Sequence, residues 1–265
     1  MFYLADPPNS KLNIYGSTLR ALQFWKYNLK ANAFVLNMVE FGYALPFKAL
    51  PSKFLTDRNN SSSLRHANFV TDEIKKLLAC NFIVEKSEPS FCVNPLTVAD
   101  NSDKLRLVLD LKHVNDFLDV KKFKYDDLRL FSEFVEHGDF FIKFDIKSGY
   151  HHVSIKDSHH KYLGFKWATK NGTTKFYEFK VLPFGLASAC HAFTKLMRPF
   201  VERWRTLGMR NLIYIDDGIC CAETWNLCQF HSNLVREDLT RAGIVLNDKK
   251  NPFGPLRRKI FSWEY

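Results

Sequence analysis

Two hydrophobic periods alternate along the chain, and together they predict most of its elements. Over residues 66–79 the apolar positions Phe69, Ile74, Leu77 and Leu78 recur at helical spacing, so a helix is expected there, ending near Asn81. Helical patterns also cover residues 17–36 and 186–207, and a further helix is expected to run through Ala242. A mixed charged and apolar segment over 121–137 suggests another. Shorter runs follow the strand pattern: FIVEKS, NPLTVAD, KLRLVLDL and DFFIKFDI. The polar DNSDK between NPLTVAD and KLRLVLDL predicts a β-hairpin, and GFKWATKNGTTKFYEFKVL reads as two strands around an Asn171-Gly172 turn. NLIYIDDGICCA reads as two short strands hinged at Asp216 and Asp217.

Two tracts interrupt these patterns. Pro46 and Pro51 argue against helix in GYALPFKALPSKF, and DRNNSSS at 57–63 reads as a polar linker. The order of strands, hairpins and helices predicts an α+β fold in which an antiparallel sheet packs on helices.

A chain of 265 residues with 46% hydrophobic positions can bury a sizeable core, as one large domain or two small ones. Its 25 Phe and 10 Tyr fit either a core or flat platforms for bases. The formal charge of +10 favours a polyanionic partner such as nucleic acid. That excess is uneven: residues 1–60 carry 7 basic and 3 acidic side chains, and residues 241–265 carry 6 and 2. Charge alone fits a merely solvated surface equally well. The six cysteines form no CxxC pair, so neither a zinc ribbon nor a disulfide framework is indicated; Cys228 and His231, beside Cys220 and Cys221, read as core residues. No apolar run approaches a membrane span, and MFYLADPPNS lacks the features of a signal peptide, so a reducing compartment, cytoplasm or nucleus, is expected.

The candidate chemistry lies in the acids. Asp145 ends an apolar strand, and Asp216 with Asp217 sits between two more, so three carboxylates fall where burial is expected. Buried carboxylates are normally neutralised by bases, by protons or by cations, and YIDDGICC contains no Lys or Arg. Hard divalent cations such as Mg2+ are a natural resolution. An Asp-Asp pair taken alone is equally a turn former.

FDIKSGYHHVSI, LPFGLASACHAF and YIDDGI, spread over the 71 positions from Asp145 to Asp216, resemble in order and spacing the palm motifs of reverse transcriptases. KLRLVLDLKHVN resembles the fingers motif of the same enzymes, and the likeness covers roughly residues 69–250. It implies a right-hand polymerase fold with an N-terminal extension and linker over 1–63, fingers over 64–138 and palm over 139–265. It implies an RNA-directed DNA polymerase that uses two Mg2+ ions, or Mn2+, a primer on an RNA or DNA template, and dNTPs. Asp145 and Asp216 match the metal-binding carboxylates, Asp217 the second acid of the turn, and Ile146 the position that lends a backbone carbonyl. Tyr150 matches the aromatic gate that crowds a ribose 2′ hydroxyl. Arg106 matches the fingers arginine that holds the triphosphate, a role suited to its planar fork of donors. Phe184 and Gly185 match a loop against the nascent base pair, although Phe184 equally fits a core aromatic. Lys250 matches a lysine near the leaving pyrophosphate, with neighbouring Lys249 an alternative register.

LPFGLASA with YIDD resembles gypsy-type elements, whereas ANAFVLNMVEFGYALPF and LMRPFVERWRTLGMRNLIYIDDGI resemble the DIRS group, which is the favoured assignment. Two features depart from the family. Asp100 and Asn101 stand where relatives carry lysines for the triphosphate, which leaves Lys104 to compensate. KIFSWEY is similar to the start of the primer-grip hairpin, and no residues follow that would supply a thumb or ribonuclease H domain. The expectation is therefore a chemical site with a weak hold on primer-template. A truncated, inactive remnant and a nucleic-acid-binding module are the alternatives.

Overall fold

The computed structural model describes residues 14–101, 104–120, 131–168, 172–247 and 256–257. In chain order the first elements are α1 (Ser17–Arg20), α2 (Ala33–Phe41), β1 (Phe54–Leu55), α3 (Ser61–Arg65), α4 (Ala67–Ala79) and β2 (Ile83–Lys86). They are followed by β3 (Cys92–Asn94), β4 (Leu96–Asn101), β5 (Lys104–Leu109), α5 (Lys112–Asn115) and β6 (Phe140–Asp145). After two 3-10 turns, Gly149–His152 and Asp157–Tyr162, come β7 (Gly164–Ala168), β8 (Thr174–Phe179) and α6 (Ala189–Thr206). The last described elements are β9 (Arg210–Tyr214), β10 (Asp217–Ala222), α7 (Trp225–Arg241) and β11 (Leu256–Arg257).

The strands form three sheets: β1-β3-β7-β8-β2, β11-β6-β10-β9 and the β4-β5 hairpin. The predicted α+β class holds, and the four-stranded sheet and the hairpin are antiparallel as expected. The five-stranded sheet is mixed, because β3 lies parallel to both β1 and β7. Parallel pairing needs a long crossover, which local periodicity does not report. The buried Asn94 fastens that join by donating from Nδ2 to the carbonyls of Tyr162 (3.1 Å) and Gly164 (3.0 Å). This sheet therefore takes strands from both sides of position 139.

One hydrophobic core runs from Ile14 to Ile244, and takes in Ile142, Phe144, Ile213 and Cys220 from the four-stranded sheet. Alternation along the same strands puts Phe141, Leu212, Ile219 and Cys221 on the other face, where Phe131 covers them. A bidentate ion pair between the buried Asp139 and Arg210 (2.7 and 2.9 Å) ties the start of β6 to β9. Asp238 on α7 accepts from Arg203 Nε (2.9 Å) and Trp204 Nε1 (3.0 Å), which joins α7 to α6.

The helix expected over 17–36 is split. A π-helical turn at Phe24–Asn28 and Lys30 at φ +50° end the first part, and Asn32 caps α2 by accepting from the Val35 N–H at 3.1 Å. The 57–63 tract is not a free linker. Asn59 accepts from the Leu96 N–H (2.8 Å) and donates to the Lys166 carbonyl (3.0 Å), Ser62 accepts from the Val98 N–H (3.1 Å), and Ser63 is buried in α3. Polar side chains here satisfy backbone groups of neighbouring strands, which composition alone reads as solvation. The segment over 121–137 lies mostly outside the described residues, as does Asn171.

The N-terminal region forms a strap across the chain. Tyr43 exchanges backbone hydrogen bonds with Ser154 (2.7 Å) and Lys156 (3.0 Å), the Leu45 N–H donates to His159 Nδ1 (3.0 Å), and Thr18 Oγ1 donates to the His152 carbonyl (3.3 Å). Trp25, fully buried, donates from Nε1 to the Ala242 carbonyl (3.0 Å) and meets Phe200 edge-on at 5.2 Å. Replacement by alanine removes both contacts and opens a cavity. Trp25→Ala should cost about 3–5 kcal/mol in urea unfolding; a loss below 1 kcal/mol would show that the strap is dispensable.

Candidate active site

The site is built where β6 ends and the β9–β10 hairpin turns. Asp217 lies opposite Asp145 in the ladder, and the Ile146 N–H donates to the Asp216 carbonyl at 2.8 Å. That bond makes Asp145 and Asp217 a non-hydrogen-bonded pair, the arrangement in which opposed side chains stand closest. The turn itself is Ile215-Asp216, since Tyr214 pairs with Asp217. The predicted hinge is thus one residue late, and Asp217 begins β10. Ile215 takes φ +56°, a left-handed conformation that is strained for a β-branched residue.

The three acids are less buried than the apolar runs around them suggested. Asp145 and Asp216 are half-buried and Asp217 is exposed, because they stand at the rim of the sheet, where the strands leave the core. Ile146, by contrast, is 1% exposed.

Glycines admit the close contacts here. A Cβ on Gly149 would lie 2.9 Å from the Phe193 ring and 3.2 Å from Asp216 Cβ, so Asp216 sits against the turn that carries Tyr150. A Cβ on Gly218 would strike the Phe144 ring at 2.0 Å. Gly185, at φ +105°, brings its backbone so near Leu109 that a Cβ would lie 1.9 Å from the Leu109 carbonyl oxygen.

The half-buried Tyr150 packs against Phe184 (5.4 Å between centroids) and Phe193 (5.9 Å), with its hydroxyl against Cys190 Sγ. Phe184 is 40% exposed, so it is not an enclosed core aromatic. Its carbonyl accepts from the Leu109 N–H (3.0 Å), which docks the loop on β5, and Asn115 fastens the loop through the Gly185 carbonyl (2.9 Å) and the Ala187 N–H (2.9 Å). These contacts connect the carboxylates with Ile146, Tyr150, Phe184 and Gly185. Arg106 and Lys104 are exposed on β5, three and five positions before Leu109, about 10 and 17 Å along the strand. Lys250 and Lys249 lie outside the described residues.

Two further residues meet the site. Asn247 donates from Nδ2 to Asp145 Oδ1 (2.8 Å) and from its backbone N–H to the Asp145 carbonyl (2.9 Å). His152, fully buried, accepts at Nε2 from the Val245 N–H (2.9 Å), so its proton sits on Nδ1 and is donated to the Gly149 carbonyl (3.1 Å). His152 lies within FDIKSGYHHVSI and Asn247 three positions before Lys250, but their partners are 93 and 102 positions away, beyond the reach of local pattern.

A model of the family described as reverse transcriptase (RNA-dependent DNA polymerase) matches residues 98–260, and the chain belongs to that family. It is 28% identical over 223 residues to the genome polyprotein of Petunia vein clearing virus, covering 80% of this chain and 10% of the polyprotein. It is 26% identical over 192 residues to the retrovirus-related Pol polyprotein from transposon gypsy of Drosophila melanogaster, covering 71% of this chain and 18% of that one. The chain thus spans a minor part of these curated relatives. A solved foamy viral protease-reverse transcriptase in complex with double-stranded DNA matches with a TM-score of 0.59 and 20% identity, over 82% of this chain and 36% of that one, which shows the shared fold. Among the described residues, no helix is long and apolar enough to cross a membrane.

Burial pushes both His151 and His152 down to about 4, from the ordinary 6.5. A base whose folded-state pKa is depressed contributes stability that is complete above the unfolded value and is lost as pH falls. Stability should therefore decline between pH 6.5 and 4, each histidine adding about 1.4 kcal/mol per pH unit inside that window. Among the described residues His151 Nδ1 is buried and has no hydrogen-bond partner, so His151→Phe should remove one histidine's share of the slope in urea melts taken across that window. An unchanged slope would refute its burial as a neutral base.

Proposed function

We propose that this chain is the fingers (64–138) and palm (139–265) of a retroelement RNA-directed DNA polymerase, extending a primer with dNTPs on an RNA or DNA template. The observation that carries the reading is the convergence of Asp145, Asp216 and Asp217 at the β6 and β9–β10 rim, directly beside the Gly149–Tyr150 turn. Membership of the reverse transcriptase family supports it, as does the double-stranded DNA held by the solved relative.

The donor set fits a hard divalent cation. It consists of oxygen ligands at a solvent-facing rim, and although no three His, Cys, Asp or Glu among the described residues form a ready-made metal group, Mg2+ accepts one or two carboxylates completed by substrate phosphates. Asp145, Asp216, Asp217 and the Ile146 carbonyl would hold two Mg2+ or Mn2+ ions, which when bound supply charge neutralisation at phosphate and a more acidic primer hydroxyl. Attack of that 3′ hydroxyl on the α-phosphorus forms the new P–O bond as pyrophosphate departs. Tyr150, wedged between Phe184 and Phe193, closes the space a 2′ hydroxyl would need. In this reading Arg106, Lys104 and Lys250 bind the triphosphate, and Phe184 with Gly185 borders the nascent pair. Its retroelement would be of the DIRS group, on the motifs around residues 31–47 and 196–219, and the protein would work in cytoplasm or nucleus.

Mg2+-dependent extension of a DNA primer on an RNA template tests the reading. Asp216→Asn should lower extension by roughly 10²–10³-fold. Extension indifferent to Asp216, or none from a folded chain, would favour a nucleic-acid-binding remnant instead. Tyr150→Ala should reduce discrimination against ribonucleotides by roughly tenfold or more, and unchanged sugar selectivity would remove its gating role.

A further inference from the structure

Asp145 is gripped at two points by one residue. Asn247 donates from its side-chain amide to Oδ1 (2.8 Å) and from its backbone to the carbonyl (2.9 Å). The segment around Asn247 is itself held in register. Lys147 N–H donates to the Val245 carbonyl (2.9 Å), Ile146 bridges Leu246, and the Val245 N–H ends on the buried His152 (2.9 Å). His152 in turn is bound through its own backbone carbonyl to Thr18 (3.3 Å) on the N-terminal strap. A chain of hydrogen bonds thus runs from the core to one oxygen of the Asp145 carboxylate.

The physical need for such a grip comes from Asp217. Two like charges face each other across a non-hydrogen-bonded pair, and repulsion favours a rotamer in which Asp145 swings away. An amide donor holds Oδ1 without bringing a charge of its own, and each carboxylate oxygen can accept more than one bond. A lysine or arginine there would compete with a cation, and an aspartate would add to the repulsion.

We infer that Asn247 is the positioning residue of this site, fixing the Asp145 carboxylate in the orientation that receives a divalent cation. The inference rests on the metal-dependent reading given above. It predicts that loss of the amide weakens cation binding even when no nucleotide, primer or template is present. Partners that orient a metal ligand typically contribute 10–100-fold in affinity.

The test is binding of Mn2+ to the full chain, followed by electron paramagnetic resonance of the free ion, for wild type, Asn247→Ala, Asn247→Leu and Asp145→Asn. Leucine shares the γ-branched shape of asparagine and is larger, so it removes the donor without leaving a cavity, and thermal melting of each variant confirms that it is folded. Asn247→Ala and Asn247→Leu should bind Mn2+ roughly 10–100-fold more weakly than wild type, and the Mg2+ needed for half-maximal primer extension should rise in parallel. Wild-type Mn2+ affinity in both variants, with affinity lost in Asp145→Asn, would overturn the positioning role and leave the metal-site reading intact. Equal affinity in wild type and Asp145→Asn would overturn the metal site, and the role of Asn247 with it.

Discussion

The constraint on which the rest depends is the placing of like charges side by side. Asp145 and Asp217 oppose each other across the β6–β10 ladder, and Asp216 lies on the tight turn between β9 and β10. Nothing in folding favours this, since opposed like charges destabilise a sheet. The surrounding structure therefore has to impose it. Phe144, in the main core, packs edge-on against Trp204, and Gly218 leaves room for the Phe144 ring. The Asp139–Arg210 pair anchors the far end of the same strands. Apolar burial and one half-buried ion pair hold the ladder in register, and the acids occupy the rim that this register defines.

Local strain is concentrated at the same place. Ile215 takes a left-handed conformation at the first turn position, and Gly149 and Gly185 are each pressed against a neighbour that would exclude a side chain. Such positions persist only where packing over-determines them. Here the packing is supplied by Phe193 behind Gly149 and by Leu109 against Gly185. The strain and the carboxylates thus share one support, which links the geometry of the candidate site to core packing more directly than the solvent-facing position of the acids would suggest.

The N-terminal strap extends that support beyond the family match at residues 98–260. It touches both segments that carry site geometry, the Gly149–Lys156 region through Thr18 and Tyr43, and the approach to Asn247 through Trp25 at Ala242. Residues 14–47 are therefore an integral part of the packed unit, and Ile14, Trp25, Val35 and Tyr43 share its main core.

Much of this was legible in the amino-acid sequence, because it depends on neighbours in the chain. Period-two and period-3.6 patterns placed the β4–β5 and β7–β8 hairpins, α4 and the long α6 and α7, since each buries one face whatever it packs against. The motifs around Asp145, Tyr150, Phe184 and Asp216 carried the family, because each is a short run of particular residue types within the matched residues 98–260. The parallel β3–β7 join, the break in the helix after Phe24, the docking of the 57–63 tract and the grip of Asn247 on Asp145 were decided only in three dimensions. Each depends on a hydrogen bond or a packing contact between residues distant in sequence. A polar side chain such as Asn59 or Asn247 reads the same, one residue at a time, whether it faces water or completes a site.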